Sequence, residues 1–399
     1  MRNKQLVTLS IAFSALLIAL TSFIFFQNRS IQAQTAPNCA PGYLIDETFS
    51  TNARWQMCWE HRSNEGIVLT EITYITPGGT VRQVLEEAGL AQIHTPYDDN
   101  SARYHYVTDY GLGDANMLAL TGSECGGTLL SHNGKQLLCH QIEERGYVYK
   151  YYNTKKQGSL LSLYSISQIA EQAFIVRWNF YDDGTIEPMI GNTGQLRHMS
   201  TNSNYGWPLD NAGRIGVGFT HNYYWRLNFN IGDNGANERV EELNFNPASS
   251  NTRKQIAKST LSSESSRSVN PALKRSWRII DGTITNGDGH AVSYHLEPLQ
   301  AGHRYVGDSS EPWTNNDIYF TRFNACERFV SHNPPTGGCG NKVTDFVNGQ
   351  NINGANVVVW YGISYHHLPR DEDEAFMLTH MDGFQLIPRD WTSTNPLSN

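Results

Sequence analysis

The chain has 399 residues, a formal net charge of -8 at pH 7 and only 17% charged residues. A negative charge this modest and dispersed argues against nucleic-acid binding, which needs a basic patch. The 20 Tyr, 16 Phe, 9 Trp and 34 Gly favour sheets and turns over helical bundles.

The N-terminus reads as a targeting segment. "MRNK" supplies a basic flank, "LVTLSIAFSALLIALTSFIFF" an uncharged apolar run, and "SIQAQ" a cleavage site after Ala33. The run is also long enough to span a bilayer, so residues 1–34 are expected to be a signal peptide or an N-terminal membrane anchor. With Arg2 and Lys4 held in the cytoplasm, residues 35–399 form one exported domain, extracellular or periplasmic. Strand-like runs then recur: "GIVLTEITYI", "ARYHYV", "GYVYKYY", "AFIVRWNFY", "NYYWRLNFNIG", "HAVSYHLEPL", "DIYFTRF" and "ANVVVWYGISY". Turn chemistry separates them, as in "HNGK", "YDDG", "GDNG" and "PPTGGCG". "TVRQVLEEAGLAQ" carries the one clear helical propensity, which a sheet context can override. The polar "SSNTRKQIAKSTLSSESSRSVNPALKR" reads as a long surface excursion, and "RDEDE" as a solvated loop. The expectation is a large, all-β, antiparallel domain.

Six cysteines fall as near neighbours: Cys39 with Cys58, Cys125 with Cys139, Cys326 with Cys339. An exported chain oxidises an even set; fifteen connectivities exist, and proximity favours the sequential one. No CxxC pattern points to a zinc-cysteine site.

"RWNFYDDGTIEPMIGNTGQL" resembles the stretch just after the cofactor tyrosine in copper amine oxidases. "WEHRSNEGIVLTEITYI", "TPYDD" with "TDYGLG", "SVNPALKRSWRIID", "NVVVWYGISYHHLPRDEDE" and "GFQLIPRDW" extend the likeness from Trp55 to the C-terminus. The resemblance implies a sandwich of large antiparallel sheets, paired as a homodimer through hairpin arms, and a disulfide at Cys125–Cys139. It also implies oxidation of primary amines to aldehyde, ammonia and hydrogen peroxide. That chemistry uses a topaquinone made from tyrosine, copper on three histidines, and an aspartate base.

Carried over position by position, several of these parts change. Counting back from Phe180 puts Gln172 at the quinone position, with Glu171 for the preceding asparagine and Gln168 for the threonine. Glutamine cannot become a quinone. The base position falls on Tyr106, a phenol with a pKa of about 10 and a poor base at neutral pH. Asp109, three residues on, is expected on the opposite face of a strand. The His-x-His copper pair becomes Phe219 and His221, and the third histidine is His367, with His366 or Tyr223 as replacements for the missing ligand. A second, calcium-like site loses its charges to Asn228, Asn230 and Asn356. Tyr97 matches the tyrosine that hydrogen-bonds the quinone, and Arg177 and Glu171 are candidates for an ion pair.

The expected protein therefore keeps the family pocket without topaquinone: a pseudoenzyme, or a catalyst reusing Tyr97, Tyr106, Glu171 and Gln172. Its partner would be a small molecule, an amine among the candidates, with copper restricted to His221 and His367. An active primary-amine oxidase and a purely structural homologue are the competing readings.

Overall fold

The computed structural model describes residues 36–398 except 211–212, 233–235, 248–253 and 299–302. The targeting segment lies outside the described residues, among which no helix is long and apolar enough to cross a membrane. Two large antiparallel sheets dominate. In one, Gly66–Ile75 pairs with Val81–Pro96, which pairs with Phe219–Gly232, which pairs with Val357–His367. In the other, Lys135–Tyr151, Thr154–Ile169, Gln172–Tyr181 and Ile186–Gly194 lie side by side. Among the described residues these sheets have nine and eleven strands.

Alternation explains how they stack. Phe174, Val176, Trp178 and Phe180 are buried at every second position of Gln172–Tyr181. From the facing sheet, the Trp55 ring meets Phe180 at 5.1 Å and donates its indole N–H to the Tyr181 carbonyl at 2.8 Å. The Tyr74 hydroxyl donates to the Asp182 carbonyl at 2.9 Å. Burying each such large apolar side chain contributes roughly 2 kcal/mol. Trp55 and Tyr74 satisfy their polar atoms across the interface while adding that area.

Three sequence expectations are corrected here. "TVRQVLEEAGLAQ" lies within the long strand Val81–Pro96, because ladders on both sides satisfy its backbone. "ARYHYV" is a strand only as far as His105; Tyr106–Tyr110 forms a single π-helical turn, so Asp109 is not on a strand. The polar excursion is partly ordered. Lys254–Leu261 adds a mostly exposed strand beside Arg239–Pro247, and Ser265–Arg267 pairs at an edge of the first sheet. The cysteines pair sequentially, as Cys39–Cys58, Cys125–Cys139 and Cys326–Cys339.

Candidate functional site between the two sheets

Ile169 pairs with Gln172 across a two-residue turn, so Ala170 and Glu171 are its corner, with Ala170 in the left-handed region at φ 53°. Gln172 is the first inward residue of the strand and is fully buried. Its amide is spoken for: Nε2 donates to the Gln195 carbonyl at 3.0 Å, and Oε1 accepts from Asn192 Nδ2 at 2.9 Å. The polar pair before the apolar strand is thus a turn residue followed by a core amide locked by its neighbours. Glu171 lies 3.4 Å from Arg197, whereas Arg177 pairs with Glu143 at 2.7 Å. The expected Arg177–Glu171 pair is therefore absent.

Every odd position of Phe219–Gly232 from Phe219 to Ile231 is buried, and Phe219 and His221 share one face. The Phe219 ring sits 4.9 Å from His221 and 4.9 Å from His367, stacked on the latter. His221 Nδ1 shares a 2.7 Å hydrogen bond with Thr95 Oγ1, while Nε2 is buried without a hydrogen-bond partner. His367 is held at Nε2 by Asp373, 2.9 Å away. Asp373 is buried, so part of the acidic run "RDEDE" is structural rather than solvated. His366 points elsewhere, with Nε2 2.8 Å from Asp98. Tyr223 stacks on His221 at 5.4 Å, its phenol pushed well above the ordinary range by burial and by Asp382. Burial, with His367 and His380 nearby, holds the His221 imidazole neutral, well below its usual pKa.

Phe174 connects this group to Tyr106, with ring separations of 5.6 Å to His221 and 4.8 Å to Tyr106. Tyr97 packs on Phe219 at 5.2 Å and under His198 at 4.2 Å, and its buried hydroxyl has no hydrogen-bond partner. Burial raises both the Tyr97 and the Tyr106 phenol, so neither is a base near neutrality. The Arg197 guanidinium lies 4.2 Å over the Tyr104 ring. Burial opposes its charge, but Tyr106, Tyr104 and Glu171 outweigh that and raise its pKa. Arg197 Nη1 is likewise buried and unpartnered.

Tyr97, His221 and His367 are thus linked through the Phe219 ring, and His221 to Tyr106 through Phe174, whereas Gln172 bonds to Gln195 and Asn192 instead. Arg197, His198 and Tyr104 were not singled out from the sequence, because nothing in "GQLRHMS" or "ARYHYV" signals that the two segments meet.

The chain matches the family "Copper amine oxidase, enzyme domain" over residues 45–399. It is 25% identical to a primary amine oxidase of Arthrobacter sp. (strain P1), covering 90% of this chain and 61% of that protein. It is also 25% identical to a histamine oxidase of Arthrobacter globiformis, over 90% of this chain and 58% of that one. Among solved structures, a copper-containing benzylamine oxidase from Hansenula polymorpha superposes with a TM-score of 0.74 at 17% identity. That superposition covers 93% of this chain and 65% of the other. The chain thus spans about three fifths of the length of the curated relatives it matches. On the match across residues 45–399, with the shared fold behind it, the chain belongs to the copper amine oxidase family.

Proposed function

We propose that this chain is a divergent, exported family member that binds a small molecule at the inherited amine locus without making topaquinone. The observation that carries the reading is Gln172: an amide with no phenol to oxidise, both ends engaged, at the position to which the resemblance assigns the family's tyrosine. The residues present also do not fit a three-imidazole copper centre. Phe219, which the resemblance sets in the place of a third imidazole, packs on both His221 and His367, and His367 Nε2 is turned to Asp373.

The unmet polar atoms suggest what is bound. The Tyr97 hydroxyl, His221 Nε2 and Arg197 Nη1 are all buried without partners, at a cost of about 1–3 kcal/mol each unless something completes them. Arg197 already places a cation over an aromatic ring and beside Glu171. A second cation would be repelled, so the reading favours a neutral or anionic ligand carrying hydrogen-bond acceptors over a free amine.

Protein produced with excess copper should give no coloured adduct with phenylhydrazine. Its unfolding temperature should rise with small carboxylates or phenols but not with primary amines. A stoichiometric phenylhydrazine adduct would establish the active-oxidase reading instead. No shift with any ligand class would leave a structural role.

A further inference from the structure

The opposite face of the first sheet carries a second cluster, separate from the residues above. Along Val81–Pro96, Thr95 bonds inward to His221 while His94 points the other way, its Nε2 2.9 Å from Glu311. His105 pairs with His94 in the ladder, its ring tilted against that of His94 at 4.8 Å; its neighbour Tyr106 faces inward against Phe174. Just beyond, the π-helical turn brings Asp109 round to the His105 side, where His332 arrives from the Cys326–Cys339 loop. His105, Asp109 and His332 each offer one donor atom, all within 4.8 Å of one another. His332 Nδ1 lies 2.9 Å from Asp109 Oδ1, and His105 Nδ1 lies 3.7 Å from Asp109 Oδ2.

We propose that His105, Asp109 and His332 bind a divalent transition-metal ion of the zinc and copper class, independently of the His221–His367 locus. Two imidazoles and one carboxylate suit such borderline ions better than calcium or magnesium, which prefer all-oxygen shells. Three protein donors leave a coordination position open. That position faces solvent, since the Asp109 and His332 side chains are 40% and 47% exposed. His105 is the deeper of the donors: its side chain is 9% exposed and its ring lies 3.9 Å from that of His332.

The carriers are also fixed in place, as a metal site requires. Fully buried Gln92 clamps both of them. Its Oε1 accepts from the Val107 N–H at 3.2 Å, and its Nε2 reaches Thr108 Oγ1 at 2.9 Å and Ser331 Oγ at 3.2 Å. Asn333 braces the other side of the loop, accepting from the Arg328 and Phe329 amides and donating to the Cys326 and Gly340 carbonyls. His332 itself is held at φ 54°, a left-handed conformation uncommon for a non-glycine residue.

The test uses the full chain, stripped with chelator and then titrated with zinc chloride and separately with cobalt chloride. Bound metal is measured, together with the ligand-field bands of cobalt. The expected result is one ion per chain, lost or weakened at least about tenfold in Asp109→Asn and in His332→Asn. Asparagine tolerates the left-handed backbone, so His332→Asn should keep the metal-free unfolding temperature and remove only the donor. Absence of zinc or cobalt binding at micromolar concentrations by the unaltered chain would overturn the proposal. So would tight binding that both variants retain.

Discussion

At the scale of single residues, the buried polar groups decide what this family member can do. Gln172 opens a core strand and Phe219 points inward beside His221. Glu238 shows how a buried polar group can make stability depend on pH. It is fully buried, accepts from the Ile231 amide at 3.0 Å, and its carboxyl is pushed up to about 8 by burial and by the neighbouring Asp281. The folded state therefore holds a proton that the unfolded chain releases at a pH of about 4.3. Between those values the native state binds more protons, so stability is greatest on the acid side and falls as pH rises toward 8. Glu238→Gln should remove that slope and stabilise the protein at pH 9 by up to about 5 kcal/mol. Unfolding temperatures measured from pH 5 to 9 check this; parallel profiles for the two proteins would refute it.

At the scale of elements, the turn at Ala170–Glu171 depends on the strand beside it. Gly194 pairs with Gln172 at φ 113°, and a Cβ there would lie 2.1 Å from the Glu171 carbonyl oxygen. Gly194→Ala should therefore cost several kcal/mol, about 2–4, and displace Glu171 from Arg197. A urea midpoint that does not move would show that the turn can give way. Much of this architecture was legible beforehand, because alternation marked the strand Gln172–Tyr181, and turn residues such as Asp182-Asp183-Gly184 marked its end. In Val81–Pro96 the Leu, Glu and Ala content favours helix, and its two ladder partners override that propensity. The π-helical turn has no local signature. Asp109 and His332 are 223 residues apart, so no spacing argument joins them. What the sequence exposed was the face each residue takes within its own strand. Which distant segments meet was legible only through the family resemblance.

At the scale of the whole molecule, one hairpin offers a surface on which two copies of the chain can pair. The hairpin formed by Lys135–Tyr151 and Thr154–Ile169 ends in a tip where Tyr147, Tyr151 and Tyr152 are 57%, 71% and 79% exposed. Aromatic rings so exposed are unusual on a surface that meets only water, and Tyr is enriched where proteins touch. Long hairpin arms are also how the resemblance implies that two enzyme domains embrace. A homodimer is therefore expected, with these tyrosines seated on the second copy. Sedimentation should give twice the chain mass at micromolar concentration. Tyr151→Ser combined with Tyr152→Ser should weaken pairing by at least about 2 kcal/mol, roughly thirtyfold in dissociation constant, without lowering the unfolding temperature of the monomer. A monomeric native chain would show that the tip serves another contact. An unaltered dimer in the double variant would place the interface elsewhere on the sandwich.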